Sequence, residues 1–436
     1  PDSDPGFAGM SVESPKPLYE PFSIPKEASM DFSLTAEQKI FRETIYRYGR
    51  DEVAPLCEEA DLRGEFSFEI WKKLGAMGIL GLPLPEELGG SGADIVTCCL
   101  AGEALGHAGV DGGSLLAWGA HTYLCAYNIF CYGTEEQKKR YVPRLASGEW
   151  IGCMGLTEPG AGSDAASLRT TAVKKGDRYI LNGSKTFITN APVADVMVVF
   201  ANANPAKKHE GITAFIVEKG TPGLSTGKPF HKMGCRCSAT SEVFFEECEV
   251  PAENVLAGEG QGWLIALSGV EWDRCTLLAP MLGAALNNLD ACARYANERH
   301  QFNRPIRSFQ AIQHRIADMK VFVEASRLAI YRVAWAKDNG TMLNPLQAAV
   351  SKLYVGDRGL EMASEAVQVF GGYGFMHEYP VERNFRDSKL AAIGGGTSDI
   401  MRVIVSRIML MELDHDDVTG AGEGVIRWIT SCLRNR

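Results

Sequence analysis

Thr157-Glu-Pro-Gly-Ala-Gly-Ser-Asp164 is the stretch on which the fold turns. Before it, apolar residues recur at helical spacing; after it, they fall into short β-branched and aromatic runs. Upstream, Thr35-Ala-Glu-Gln38 has the capping-box pattern and leads into Ile40, Phe41, Ile45 and Tyr48 on one helical face. Ser67–Gly78 reads as helix and Leu82–Gly92 as loop. Ile95 to about Leu145 is helical again, with Thr134-Glu-Glu-Gln137 a second capping box. Composition shifts near Ile151. Thr170–Val173 and Tyr179–Leu181 flank Lys174-Lys-Gly-Asp177 as a hairpin, and Asn182-Gly183 reads as another turn. Val196–Ala201, Ile212–Glu218 and Val243–Phe245 read as strands. After Gly262 the spacing predicts helices near Trp263–Tyr295, kinked by Pro280, then Ile306–Asn339, Asn344–Phe370 and Ser398–Leu413.

The order α, β, α predicts an α+β multidomain chain. Its expected parts are an N-terminal extension over 1–32, a helical domain over 33–150, a β domain over 151–262, and a helical bundle with tail over 263–436. The extension has no apolar core of a signal peptide. Pro1–Gly9, ahead of Met10, reads as a tag remnant. At 436 residues the chain exceeds a single ordinary core. A net charge of −10 without a basic stripe argues against nucleic acid as a partner. The longest apolar runs are strand-length, which argues against membrane spans. The twelve cysteines are scattered apart from Cys98-Cys99 and Cys235-Arg-Cys237, and the eight histidines fall at no zinc spacing. They read as reduced, buried thiols, with no metal site.

The small residues of 157–164 let a backbone approach a planar ligand, and Thr157 and Ser163 offer hydroxyls. Read alone, the segment is a Gly-rich turn. Lys185-Thr-Phe-Ile-Thr-Asn190 follows it. There Phe187 can supply an apolar wall, and Thr189 and backbone N–H groups can supply hydrogen bonds, which is what a flavin ring needs. Read alone, this is a strand end.

Together the two segments resemble the acyl-CoA dehydrogenase family. The likeness continues through Gly234-Cys-Arg-Cys-Ser-Ala-Thr240, Val250-Pro-Ala-Glu-Asn-Val-Leu256, Glu298-Arg-His-Gln-Phe302 with Gln310, and Ala317-Asp-Met319. It ends with Gln368-Val-Phe-Gly-Gly-Tyr-Gly374, Tyr379-Pro-Val-Glu-Arg383 and Arg386-Asp-Ser-Lys389. It spans about Ser33 to Leu413. The resemblance implies an N-terminal helical domain, a middle β-barrel domain, a C-terminal four-helix bundle, and a homotetramer or dimer. It implies FAD as cofactor, and it places Thr157, Phe187, Ile188 and Thr189 around the flavin ring, with Ser163 a further cofactor-binding residue. Arg299 and Phe302 match the pyrophosphate and adenine end, where a guanidinium suits phosphate, and Gln310 is a further cofactor position. Gln368, Gly371 and Gly372 match the stretch that reaches the FAD of a neighbouring subunit. Thr397 and Asp399 match further cofactor positions, although relatives carry Gln or Glu at the latter. An electron-transferring flavoprotein is the implied electron acceptor. The implied compartment is the cytoplasm of a bacterium, or the mitochondrial matrix of a eukaryote.

Family members oxidise the Cα–Cβ bond of an acyl thioester. A carboxylate removes the α-proton, a β-hydride passes to the flavin, and hydrogen bonds to the thioester carbonyl stabilise the developing charge. In most members the base is the Glu of a Tyr-Glu-Gly-Thr motif. Here the segment reads Ile393-Gly-Gly-Gly-Thr-Ser398. Gly395 keeps the N–H of the carbonyl clamp and loses the carboxylate, and Gly394 stands for the tyrosine, so the cavity widens. Relatives such as isovaleryl-CoA and long-chain dehydrogenases carry the glutamate on a bundle helix, just before an arginine. The matching pair is Asp273-Arg274, which makes Asp273 the candidate base. Aspartate is one methylene shorter, a reach of about 1.5 Å. Read blandly, Asp273 pairs with Arg274. Glu271 and Arg274 become candidate substrate contacts, with Ser163, Gly394 and Gly395, and Asp111 is a distant third base. The carrier is coenzyme A or an acyl carrier protein. The alternatives are other flavin chemistry on the same thioester (oxidase or hydroxylase, cyclic 1,4-dehydrogenation, β-elimination) or a scaffold that binds without catalysis.

Overall fold

The computed structural model describes residues 33–339 and 345–414, apart from the side chains at 270–273 and 411–414. The extension over 1–32 and the tail beyond 414 lie outside the described residues. Residues 36–405 form one compact unit.

The first helices are α1 (Ala36–Tyr48), α2 (Ala54–Arg63), α3 (Phe68–Ala76), α4 (Ile95–His107), α5 (Gly112–His121), α6 (Tyr127–Tyr132) and α7 (Glu135–Ser147). The single run predicted over 95–145 is thus four helices. Side-chain caps fix where they begin: Ser67 accepts from Ile70 N, Asp94 from Thr97 N and Asp111 from Ser114 N. Thr134 and Gln137 form the expected reciprocal capping box. Short π-helical segments, Gly49–Val53 and Thr122–Ala126, join α1 to α2 and α5 to α6.

The strands are β1 (Gly152–Gly155), β2 (Thr171–Lys175), β3 (Arg178–Thr189), β4 (Val196–Asn202), β5 (Ile212–Glu218), β6 (Leu224–Thr226), β7 (Thr240–Pro251) and β8 (Val255–Leu256). They make one mixed sheet whose pairing runs β6-β7-β3-β2-β4-β5-β8, with β1 parallel to β4. β4 is apolar along its length because both faces are covered. Val196, Val198 and Phe200 pack with Tyr141, Leu145 and Ile265. Met197, Val199 and Ala201 face Tyr179, Leu181, Val243 and Phe245 across the sheet interior.

Asn182-Gly183 is not a turn. It lies inside β3, opposite an irregularity in β7, where Asn182 exchanges two 2.8 Å hydrogen bonds with Glu247. Gly183 is needed there for close approach, since a Cβ would lie 2.6 Å from Thr170 Oγ1.

The remaining helices are α8 (Gly262–Asp273), α9 (Ala279–Glu298), α10 (Gln310–Asp338), α11 (Pro345–Phe370), α12 (Pro380–Ser388) and α13 (Ser398–Asp414). The kink predicted at Pro280 is instead a break. α8 ends at Asp273, and α9 begins with Pro280 in its first turn, where a missing N–H costs nothing. α9 lies so close to α4 that a Cβ on Gly106 would stand 2.2 Å from Pro280 O. Glu103 of α4, buried, accepts from Arg327 Nη2 at 2.8 Å and Tyr331 Oη at 2.7 Å, both on α10.

The described cysteines are all free thiols, buried except for the half-buried Cys131. Among the described residues no His, Cys, Asp or Glu group could hold a metal ion. No described helix is long and apolar enough to cross a membrane.

Candidate active site

At the end of β3 the backbone leaves its ladder. Lys185 pairs with Val243, but the next register pair is Ile188 with Ser241, so β3 carries one extra residue. The displaced Thr186 N–H donates instead to Thr157 O at 2.9 Å. Phe187 takes φ 59 and stands 69% exposed. Both features are unfavourable for an aromatic side chain and persist only where surroundings over-determine them. Ile188 turns into the sheet interior at 3% exposure, so only its backbone is offered outward. Thr189 is half-buried and pairs with Thr240. Asn190, at φ 69, donates from Nδ2 to Ala117 O at 2.8 Å and to Gly152 O at 3.2 Å.

The 157–164 segment is tied to this edge. Lys185 Nζ donates to Glu158 Oε1 at 2.7 Å and to Leu156 O at 3.2 Å, with the two side chains 0% and 6% exposed. Glu158 also accepts from Arg169 N, Thr170 N and the Thr170 hydroxyl. Burial pulls the Lys185 ammonium down to about 8, against the opposing pull of Glu158. Burial raises the Glu158 carboxyl, but Lys185 and Thr170 outweigh it and hold the group below its usual value. Ser163 lies exposed in the following loop.

A second cluster gathers on the C-terminal helices. His300–Gln301 (β9) and Arg304–Pro305 (β10) form a two-residue hairpin whose turn, Phe302-Asn303, has φ 51 and 59. Such a turn favours Asn and Gly, yet it carries Phe302 here, 86% exposed. The hairpin edges a groove of about 660 Å³ lined by Arg299, Phe302, Phe309, Phe370, Gly371 and Gly372, among others. The Arg299 guanidinium stands 5.5 Å over the Tyr373 ring, and Tyr295 stacks on Phe370 at 4.2 Å. A Cβ on Gly371 or Gly372 would meet nothing within 4 Å. Aromatic rings for a base, a guanidinium for phosphate and bare backbone for close approach suit a nucleotide. Gln368 and Gln310 are exposed and outside this lining. A second void between α9, α10 and α11 measures about 10 Å³, room for no more than a water.

The third element is the turn 393–397. Gly394 N–H is taken by Leu390 O at 2.7 Å. Gly395 and Gly396 have φ 62 and 92, a region that penalises any other residue. The Thr397 hydroxyl accepts from Ile400 N at 3.1 Å and so caps α13. Ser398 Oγ donates to Asp357 Oδ1, and Arg402 bridges Asp357 and the exposed Asp399. Lys352 Nζ donates to Ala391 O at 2.8 Å. The turn's shoulders are thereby fastened to α11 while its tip carries no side chain. Glu271 and Asp273 lie in the last turn of α8, and their side chains lie outside the described residues. Arg274 follows, buried. Asp111, the third base weighed, is buried as the cap of α5.

The structure therefore brings Thr157 against Thr186, the residue before Phe187, and Arg299 and Phe302 together with Gly371 and Gly372. Sequence reasoning missed the Glu158–Lys185 pair, although both residues stand in the quoted motifs. The available signal was a lysine beside a β-branched and aromatic run, with a glutamate in the Gly-rich segment before it. Phe309, Phe370 and Tyr373 were also missed as lining residues.

Three family models match in order: the N-terminal domain of acyl-CoA dehydrogenase over residues 35–149, the middle domain over 153–248 and the C-terminal domain over 260–410. An acyl-CoA dehydrogenase of Bacillus subtilis is 42% identical over 377 residues, covering 86% of this chain and 99% of the relative. The solved butyryl-CoA dehydrogenase from Megasphaera elsdenii superposes with a TM-score of 0.84 at 40% identity, covering 87% of this chain and all of that one. The prolyl acyl carrier protein oxidase AnaB matches with a TM-score of 0.84 at 36% identity, covering 86% of this chain and 100% of the other. With all three domains matched in order and relatives above 40% identity, the chain belongs to the acyl-CoA dehydrogenase family of FAD-dependent oxidoreductases.

Proposed function

We propose that this protein catalyses the FAD-dependent α,β-dehydrogenation of an acyl thioester, with Asp273 as the base. One observation carries the cofactor placement. Two exposed aromatic residues, Phe187 and Phe302, are both held in left-handed backbone, and these are the two aromatics that the family resemblance assigns to opposite ends of FAD. In this reading the β3 edge at Thr157 and Phe187–Thr189 takes the ring, and the groove at Arg299, Phe302, Gly371 and Gly372 takes the nucleotide end of an FAD shared with a neighbouring copy of the chain. FAD supplies the two-electron acceptor for the β-hydrogen. The protein's own work is to bind, orient and move a proton. Gly395 N–H polarises the thioester carbonyl, a task that falls to it because Gly394 N–H is already taken. Asp273, at the end of α8, removes the α-proton thereby acidified. Ser163, Glu271 and Arg274 contact the substrate, and the bare tip over 394–396 leaves room for a bulky or cyclic acyl group.

Exposed Phe302 and Phe375, at 86% and 81%, support a second copy of the chain covering the nucleotide groove. An electron-transferring flavoprotein then serves as acceptor. The likeness to the carrier-protein oxidase favours a second reading, in which the acyl group is cyclic, rides on a carrier protein and is oxidised with oxygen as acceptor.

Anaerobic titration of the yellow protein with acyl-CoA and acyl-carrier thioesters tests both. Bleaching by a saturated acyl-CoA, without oxygen consumption in air, supports the first. Bleaching confined to a carrier-bound thioester, with oxygen consumed, supports the second. Protein that cannot hold oxidised FAD defeats both.

A further inference from the structure

Glu158 and Lys185 form the most deeply enclosed ion pair among the described residues, at 2.7 Å. Such a pair is an expensive way to stabilise a fold, because desolvation offsets the Coulomb gain and apolar residues of similar volume serve as well. Its place suggests another task. Lys185 is the last residue of β3 in regular register before the bulge. Its ammonium takes Glu158 and Leu156 O, while the next N–H, of Thr186, reaches Thr157 O. Glu158 in turn gathers Arg169 N, Thr170 N and the Thr170 hydroxyl, closing the loop over 159–170. Two segments far apart in sequence are thus stapled where the backbone leaves its ladder, one residue before Phe187.

We propose that the Glu158–Lys185 pair is a positioning element that holds Phe187 in its left-handed, outward conformation against the flavin ring. The inference rests on the placement of the ring at this edge. The pair touches no cofactor itself; it acts through the aromatic side chain it fixes. A ring at φ 59 and 69% exposure has little else to hold it, its one aromatic neighbour among the described residues being Phe230 at 5.6 Å.

The test compares three variants: Phe187→Ala, the double change Glu158→Gln with Lys185→Met, and the triple combination. The double change removes both charges and keeps an acceptor for Thr170. FAD dissociation constants come from flavin fluorescence on the deflavinated proteins, and visible spectra from the reconstituted ones. Phe187→Ala and the double change should each weaken FAD by about tenfold, the size of one aromatic contact, and shift the flavin band alike. The triple variant should be no weaker than either, because all act through one ring. A double variant with wild-type affinity and spectrum overturns the proposal, and so do losses that multiply to about a hundredfold in the triple. Should the double variant fail to fold, Glu158→Gln alone decides. A shifted flavin band supports the brace, and an unchanged band overturns it. Wild-type protein without FAD would instead sink the cofactor placement itself, and this inference with it.

Discussion

At the end of β3, Phe187 and Asn190 sit at φ 59 and 69; at the turn before α13, Gly395 and Gly396 sit at φ 62 and 92. The same region of backbone space is reached in opposite ways. The β3 edge places residues with side chains in a strained conformation and fastens them with the Glu158–Lys185 pair and the two Asn190 hydrogen bonds. The glycine turn meets little strain, and Lys352 and Asp357 fasten only its flanks. The contrast is between a strand edge fastened at the strained residues and a turn fastened only at its flanks. The β3 edge carries Thr157 and Phe187–Thr189, the residues that the family resemblance assigns to the flavin ring. By the family resemblance, the turn carries Gly394 and Gly395 where most relatives carry tyrosine and the catalytic glutamate.

If that division is right, the largest effect belongs to the residue that took over the lost role. Asp273→Asn should lower the rate of flavin bleaching by an acyl thioester by about a hundredfold to ten-thousandfold, with FAD still bound. Stopped-flow absorbance measures it, and retained bleaching would remove Asp273 from the reaction. On the braced side, Lys185→Met alone leaves a buried carboxylate without its cation and should cost about 3–5 kcal/mol in denaturant unfolding. Adding Glu158→Gln should recover most of that loss.

His121 extends the brace toward α5. It is fully buried, accepts from Gly152 N at Nδ1 and contacts Leu145 O through Nε2, both at 2.9 Å, so it is neutral and Nε2 carries the proton. Burial pulls its pKa down to about 4. The unfolded chain therefore binds the extra proton first, and stability falls as pH drops from about 6.5 toward 4, by on the order of 3 kcal/mol. His121→Gln should flatten that part of a stability–pH profile relative to wild type. The smallest effect is expected at the turn. Gly395→Ala forces a Cβ into the left-handed region, for a thermal-unfolding cost of roughly 1–2 kcal/mol. A larger loss would mean that the turn, too, is tightly packed.

Much of the architecture was legible because its signals are local. The Thr134 capping box, the Lys174–Asp177 hairpin and the helical spacing after Gly262 depend on neighbours in sequence. Asn182-Gly183 misled because the same dipeptide serves a tight turn and a strand irregularity, and Thr170, a tertiary neighbour, decides between them. Pro280 misled because its ring tolerates the first turn of a helix, and sequence does not mark where α8 stops. At the site, residue types announced a flavin edge. The bulge that exposes Phe187 depends on register against β7, and the burial of Lys185 depends on Glu158, neither of which spacing alone encodes. The groove was half visible: Arg299 and Gly371 stood in motifs, while Phe309 and Tyr373 joined them only through the approach of the β9–β10 hairpin to the end of α11.

The buried free thiols give the molecule a built-in chronometer. Cys57 on α2, Cys153 on β1, Cys248 on β7 and Cys292 on α9 are shielded from solvent. A maleimide added under native conditions can label each only during a transient opening, so labelling rates read out by mass spectrometry would rank the excursions of each layer. Half-buried Cys131 would mark zero time.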